Sequence, residues 1–151
     1  MVSVSKILTP LSAPSEVYPS PVSSVTSALP PAVLIIDDDD GIRALSQWVA
    51  QKAGFRALTA RDGPEGLDCL KAEGAGVGLV LLDLTMPRMS GAEVVSALQS
   101  MGASTPVVLI TGYGEESVRD DERIGVVGVL QKPFTPEALR SVLQQHLVKV
   151  A

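Results

Sequence analysis

Four carboxylates in succession, Asp37-Asp38-Asp39-Asp40, follow directly on the apolar run Val33-Leu34-Ile35-Ile36. Like charges this close repel, so a chain gains no stability by stacking them at the end of a buried strand. Three further groups stand in the same relation to short apolar runs. Asp83 closes Leu79-Val80-Leu81-Leu82, Thr111 closes Val107-Val108-Leu109-Ile110, and Lys132 follows Val126–Leu130 with one residue between. If these runs are neighbouring parallel strands, three carboxylates, a hydroxyl and an ammonium converge on one edge. An all-oxygen set without His or Cys suits Mg²⁺, which binds through one or two carboxylates and keeps waters and phosphate oxygens for its other positions. Zinc has no ligands here. Lys132 is a compact charge for a phosphate oxygen, Thr111 a donor, and a carboxylate can itself be the nucleophile, giving an aspartyl phosphate. Phosphoryl transfer needs mainly positioning and charge neutralisation. The set reads as a site that accepts a phosphoryl group on an Asp.

Those residues must be positioned by the elements around them. Val33–Ile36, Val77–Leu82, Val107–Ile110 and Val126–Leu130 read as buried strands. Phe55–Thr59 is a weaker fifth. Helical patterns lie between them at Ile42–Ala53, Gly63–Lys71, Ala92–Met101, a short charged piece near Ser117–Arg123, and Pro136–Leu147. Gly54, Gly74 and Gly102 sit where helix C-terminal glycines belong. Such alternation predicts an α/β fold with a parallel sheet covered on both faces and right-handed crossovers. In open sheets of this kind ligands bind outside the carboxyl ends of the strands.

The whole chain bounds the answer. Its 151 residues allow one domain plus a tail, and 46% apolar against 19% charged residues suits a globular body. A net charge of -5 without any basic run argues against nucleic acid or an anionic membrane as partner. No apolar stretch approaches the roughly 20 residues of a membrane-spanning helix. The single Cys69 excludes an internal disulfide and reads as a small hydrophobe on a helix. With no secretory signal visible, a cytoplasmic location is expected. Residues 1–31 are rich in Ser and Pro and read as a disordered tether, leaving 32–149 as the functional domain.

Four pieces in order, "VLIIDDDDGIR", "LVLLDLTMPRMSG", "VVLITGYG" and "VLQKPF", resemble the receiver domain of two-component response regulators from about Ala32 to Val148. The resemblance implies a flavodoxin-like (βα)5 fold with strand order 2-1-3-4-5. It implies Asp83 as phosphoacceptor and Mg²⁺ held by Asp37, Asp38, Asp83 and the Thr85 backbone carbonyl. It makes Thr111 the switch hydroxyl and Lys132 the lysine that contacts the phosphoryl group, with a cis bond before Pro133. Asp39 and Asp40 fall outside the matched pair and read as the acidic start of the first helix. A histidine kinase or histidine phosphotransfer protein is expected to dock on the first helix. A downstream protein is expected on the face made by the charged helix near 117–123 and the fifth strand. Such a module is no enzyme beyond taking up a phosphoryl group and losing it again.

The chain departs from the pattern at Val129, where many receivers carry an aromatic that moves with the threonine. The usual threonine–aromatic coupling cannot operate in that form. Tyr113, two residues after Thr111, either gates the site or is a plain loop residue. It and Thr85 occupy positions that tune dephosphorylation in the family. Trp48 falls on the flank of the stripe Ile42, Leu45, Val49 and Ala53, as a partner anchor or a cover for the core's edge. His146 reads as surface, and Met86, Met89 and Met101 as packing. Two wordings, "ITGYGEE" and "VLQKPFTPEAL", resemble receivers attached to hybrid sensor kinases, whereas Met1 suggests a free-standing protein. A haloacid-dehalogenase-type phosphohydrolase is the enzyme alternative. It needs an acid two residues after the nucleophile, where this chain has Thr85. A scaffold receiver that is never phosphorylated is disfavoured, because all five site residues are present.

Overall fold

The computed structural model describes residues 30–147, apart from 115, 117, 121, 122 and 124. Five parallel strands are β1 Ala32–Ile36, β2 Arg56–Ala60, β3 Val77–Asp83, β4 Val107–Thr111 and β5 Val126–Gln131. They lie in the order β2-β1-β3-β4-β5, as the family pattern implied. Four helices connect or follow them: α1 Asp40–Lys52, α2 Gly63–Glu73, α3 Gly91–Ser100 and α4 Pro136–His146.

Alternation along the central strands assigns each face its helices. Val33 and Ile35 of β1, Leu79 and Leu81 of β3, and Val108 and Ile110 of β4 pack with Val49 and Ala50 of α1 and Leu139 and Leu143 of α4. Their neighbours Leu34, Ile36, Val80, Leu82, Val107 and Leu109 pack with Leu70 of α2 and Val94, Val95 and Leu98 of α3. A period of two on a strand sends alternate residues to opposite faces, so a run apolar at every position must be covered on both. Leu81, fully buried at the centre, is a direct probe of this core. Leu81→Ala is expected to cost about 3 kcal/mol, read as a lower urea midpoint at unchanged slope.

Local chemistry starts and stops the helices where expected. Asp39, Asp62, Ser90 and Thr135 are N-caps whose side chains accept from the backbone N–H three residues on. Ser90 and Glu93 form a reciprocal capping box. Gly54 and Gly102 follow α1 and α3 with φ of 94° and 72°, the left-handed conformation that ends a helix at little cost to glycine.

Some expectations need correction. The charged helix near Ser117–Arg123 falls partly on residues outside those described, and the described residues there form no α-helix. Four α-helices stand among the described residues, and the expected fifth falls partly outside them. Val118 in that segment is buried in the α2/α3-side core, so it is not merely a charged surface piece. His146 is half-buried, with Nε2 3.3 Å from where a Cβ on Gly128 of β5 would lie. Met86 and Met89 pack against the core, but Met101 is exposed. Of the expected tether, 1–29 lie outside the described residues. Pro30 and Pro31 are held by Arg56, whose side-chain Nε donates to the Pro30 carbonyl at 3.2 Å and whose backbone N–H donates to that of Pro31 at 3.3 Å. No helix among the described residues is long and apolar enough to cross a membrane.

Candidate functional site

The strands run slightly further than their apolar letters. β3 continues through Asp83, which pairs in register with Ile110, and β4 continues through Thr111, which pairs with Gln131. Two of the reactive groups thus stand on the last residue of central strands, rigidly held by ladder hydrogen bonds. Asp37 is one residue past β1, and its N–H donates to the Ala60 carbonyl of β2 at 3.2 Å. Lys132 is one residue past β5, and its N–H donates to the Thr111 carbonyl at 2.7 Å. The bond from Lys132 to Pro133 is cis.

The sheet order brings the expected residues together. One carboxylate oxygen from each of Asp37, Asp38 and Asp83 lies within 4.8 Å of the others. The Lys132 ammonium sits 3.2 Å from Asp37 Oδ2 and 3.5 Å from Asp83 Oδ2. Asp37, Asp83 and Thr111 are buried, whereas Asp38 is exposed. The open cleft above them is lined by Asp38, Asp83, Thr85, Gly112, Tyr113 and Lys132, among others.

Short backbone contacts aim the side chains. Asp83 Oδ1 accepts from the Thr85 N–H at 3.1 Å, and Asp37 Oδ1 accepts from the Asp39 N–H at 2.9 Å. Each inner carboxylate therefore has one oxygen bound by its own turn and the other turned to Lys132. Thr111 Oγ1 accepts from the Tyr113 N–H at 3.1 Å, which leaves the hydroxyl proton for another acceptor. Asp39 and Asp40 do not join the cluster. Asp39 caps α1 through the Ile42 N–H, the main reason its carboxyl is held below the usual range.

Electrostatics single out Asp83. Burial and then the neighbouring Asp37 charge push its carboxyl up to about 7, against the pull of the Thr85 N–H and Lys132. Burial alone would lower the Lys132 ammonium, but the carboxylates of Asp37 and Asp83 outweigh it and raise it. Asp37 Oδ2 is buried without a well-directed hydrogen bond, its cation at 3.2 Å notwithstanding. A buried acidic pair that shares a single ammonium, with a third carboxylate from Asp38 beside it, is short of positive charge. Three hard oxygen donors with that deficit fit a Mg²⁺ ion.

A family description, the response regulator receiver domain, matches residues 33–144. The chain belongs to that family. The receiver is 31% identical over 116 residues to sporulation initiation phosphotransferase F of Bacillus subtilis, covering 76% of this chain and 92% of that protein. It is 35% identical over 119 residues to the autoinducer 1 sensor kinase/phosphatase LuxN of Vibrio harveyi, covering 79% of this chain but only 14% of that one. Among solved structures, the chemotaxis protein CheY4 of Vibrio cholerae superposes with a TM-score of 0.69 at 33% identity, over 78% of this receiver and 98% of that chain. The response regulator TrrA of Thermotoga maritima, solved with Mg²⁺ and BeF, gives 0.68 at 26% identity, over 78% and 99%.

Two supporting residues escaped the reading of the sequence. Arg43, within the first motif, donates from Nη1 to the Asp37 carbonyl at 2.8 Å and pairs with Asp40. Gly91, the last letter of the Asp83 motif, packs onto the Asp83 and Leu84 backbone. The signal for Arg43 was a cation three residues after Asp40 on a helix start. Gly91 had none, since closeness of approach is invisible in one sequence. Val129 is half-buried against the α2/α3-side core, and Tyr113 is 70% exposed. Position 129 thus presents a small apolar group to the core, while the nearby tyrosine lies outside.

Proposed function

We propose that this receiver takes a phosphoryl group on Asp83 from a partner's phosphohistidine and signals through the resulting change of conformation. The observation that carries this reading is the convergence of Asp83 with two more carboxylates and the Lys132 ammonium at the ends of adjacent strands. Asp83 Oδ2, which faces Lys132 and is not held by the Thr85 N–H, is the oxygen assigned to attack phosphorus. An O–P bond forms there as the donor's N–P bond breaks, and the donor imidazole leaves with that electron pair. Lys132 neutralises a phosphoryl oxygen, and the Thr111 hydroxyl donates to another. Asp37, Asp38, Asp83 and the Thr85 carbonyl would hold Mg²⁺, which when bound neutralises charge on the transferring group. That TrrA, at 26% identity, was solved with Mg²⁺ and BeF supports Mg²⁺ as the ion.

The switch differs from the common one, because Val129 has no ring to move with Thr111. The link available in this receiver is instead the bond from the Tyr113 N–H to Thr111 Oγ1. A move of the hydroxyl toward a phosphoryl oxygen breaks that bond and alters the turn from Thr111 to Tyr113. We assign the read-out by a downstream protein to the face next to that turn and β5. The receiver is assigned a cytoplasmic site of action, where the proposed phosphohistidine donor would meet it.

Docking of the kinase or phosphotransfer partner is assigned to α1. Trp48 is 54% exposed there, with the Lys52 ammonium 5.8 Å from its ring centroid. It borders a groove shared with Pro136, Glu137 and Arg140 of α4. Exposed tryptophans at such positions are frequent anchors. Trp48→Ala is expected to slow transfer from a phosphorylated protein donor about tenfold and to leave labelling by acetyl phosphate unchanged.

The primary test is intact-mass spectrometry after incubation with acetyl phosphate and Mg²⁺. A single phosphoryl adduct that disappears with chelator supports the reading. No adduct under any condition, with protein donors included, would overturn it. The hydrolase alternative lacks its second acid, since Thr85 stands at that place.

A further inference from the structure

Four aspartates in a row should splay apart, yet Asp37 and Asp38 are presented to the same cluster as Asp83. Something must close the turn between β1 and α1. The backbone supplies part of the closure, through the Asp39 N–H on Asp37 Oδ1 and the Asp39 carboxylate on the Ile42 N–H. Neither bond crosses from the helix body back to the strand end. Arg43 makes that link. Its side chain is 14% exposed, and its planar fork holds two groups at once, the Asp37 carbonyl oxygen through Nη1 at 2.8 Å and the Asp40 carboxylate through Nη2. The guanidinium thereby binds the turn at both ends, the last residue before it and the first residue of α1.

We propose that Arg43 is a positioning residue for Mg²⁺, strapping the β1–α1 turn into the form in which Asp37 and Asp38 can share the ion. The inference rests on the metal assignment made above and goes beyond it, because Arg43 touches neither the ion nor the phosphoryl group. Arg43 addresses the carbonyl of Asp37, not its carboxylate, so it fixes the direction of that side chain without competing for the oxygen that faces the cluster. A lysine at 43 cannot reproduce this, since a point charge lacks the fork that spans carbonyl and carboxylate together.

A strap and simple electrostatics predict opposite signs, which makes the test sharp. A cation beside a metal site repels the metal, so by charge alone Arg43→Ala should tighten Mg²⁺ and Arg43→Lys should leave it unchanged. If the strap matters, both variants weaken Mg²⁺ by about tenfold, the lower end of what supporting residues contribute. Mg²⁺ is titrated calorimetrically into wild type, Arg43→Ala, Arg43→Lys and the core variant Val95→Ala, with metal-free melting curves recorded for each. Val95 lies in the α2/α3-side core and controls for loss of stability alone. Weaker Mg²⁺ in both Arg43 variants, with Val95→Ala unchanged, supports the proposal. Tighter or unchanged binding in either Arg43 variant overturns it, as does equal weakening in Val95→Ala. Wild type that fails to bind Mg²⁺ would instead overturn the metal assignment on which the proposal stands. If Arg43→Ala does not fold, Arg43→Lys alone decides, because it keeps the charge and the stem.

Discussion

Asp83→Asn is expected to abolish the phosphoryl adduct from acetyl phosphate and, with metal absent, to make the receiver more stable. The first effect follows from the loss of the nucleophilic oxygen. An amide is no acceptor for phosphorus at neutral pH, so labelling falls to background. The second follows from the buried charge. Asp83 lies between the strand ends with Asp37 beside it, and its carboxyl is raised from an ordinary value near 3.8 to about 7. The folded chain therefore binds this proton more tightly than the unfolded chain does. Between about pH 4 and pH 7 the unfolded state has lost the proton while the folded state still holds it, so stability falls as pH rises through that window. The amide carries no charge and removes the fall. Each tenfold difference in proton affinity between the two states is worth about 1.4 kcal/mol, and the attraction to Lys132 that is lost offsets part of the sum. A gain on the order of 2 kcal/mol at pH 7.5 is expected. Urea denaturation of both proteins at pH 5 and 7.5, with and without Mg²⁺, reads it directly. The variant's advantage should grow with pH and shrink when Mg²⁺ is added, since the ion compensates the same charge. An advantage that is flat with pH would mean that Asp83 is not held protonated by its surroundings.

Gly91→Ala should be the most damaging single-methyl change near the site. A Cβ there would lie 2.7 Å from Leu84 Cα and 2.9 Å from the Asp83 carbonyl oxygen. Both are backbone atoms, so no side chain can rotate away, and the Gly91 N–H bond to the Leu84 carbonyl at 3.0 Å ties the two segments together. Either α3 moves out or the end of β3 moves in. Overpacking of this kind costs about 3 kcal/mol, visible as a lowered urea midpoint. Because the atoms displaced belong to Asp83 and its successor, acetyl phosphate labelling should slow even where the protein remains folded. Gly66→Ala offers a contrast, for its Cβ would run into the Cγ1–Cδ1 arm of the buried Ile36 side chain on the α2 side and into no backbone atom. It should lower stability without slowing labelling of the folded fraction. Equal labelling rates in the two variants would refute the link between Gly91 and the site.

Much of this molecule could be read from its letters, for a reason that lies in the parallel sheet. Strands buried on both faces need apolar residues at every position, so Leu79-Val80-Leu81-Leu82 and Val107-Val108-Leu109-Ile110 announce themselves, and the first polar residue marks where each strand meets solvent. In open parallel sheets that boundary is also where ligands bind, so Asp37, Asp83 and Thr111 became candidates by the same break in pattern that located the strands, with Lys132 one residue past Gln131. The N-caps Asp62, Ser90 and Thr135, which the reading of the sequence did not name, are equally local, since each needs only its own next three residues. What the tertiary structure decided is whatever depends on distance between segments. The sequence alone did not distinguish buried Asp37 from exposed Asp38, nor show that Lys132 is shared between Asp37 and Asp83. It did not reveal Arg43 reaching back to the strand end or Gly91 pressed on the Asp83 backbone. The charged segment after β4 lies partly outside the described residues, and its letters did not announce that Val118 is buried. Val118 found its place in the core without an α-helix among the described residues around it. Local propensity and patterning are encoded residue by residue, whereas close approach and charge sharing exist only once the strands stand side by side.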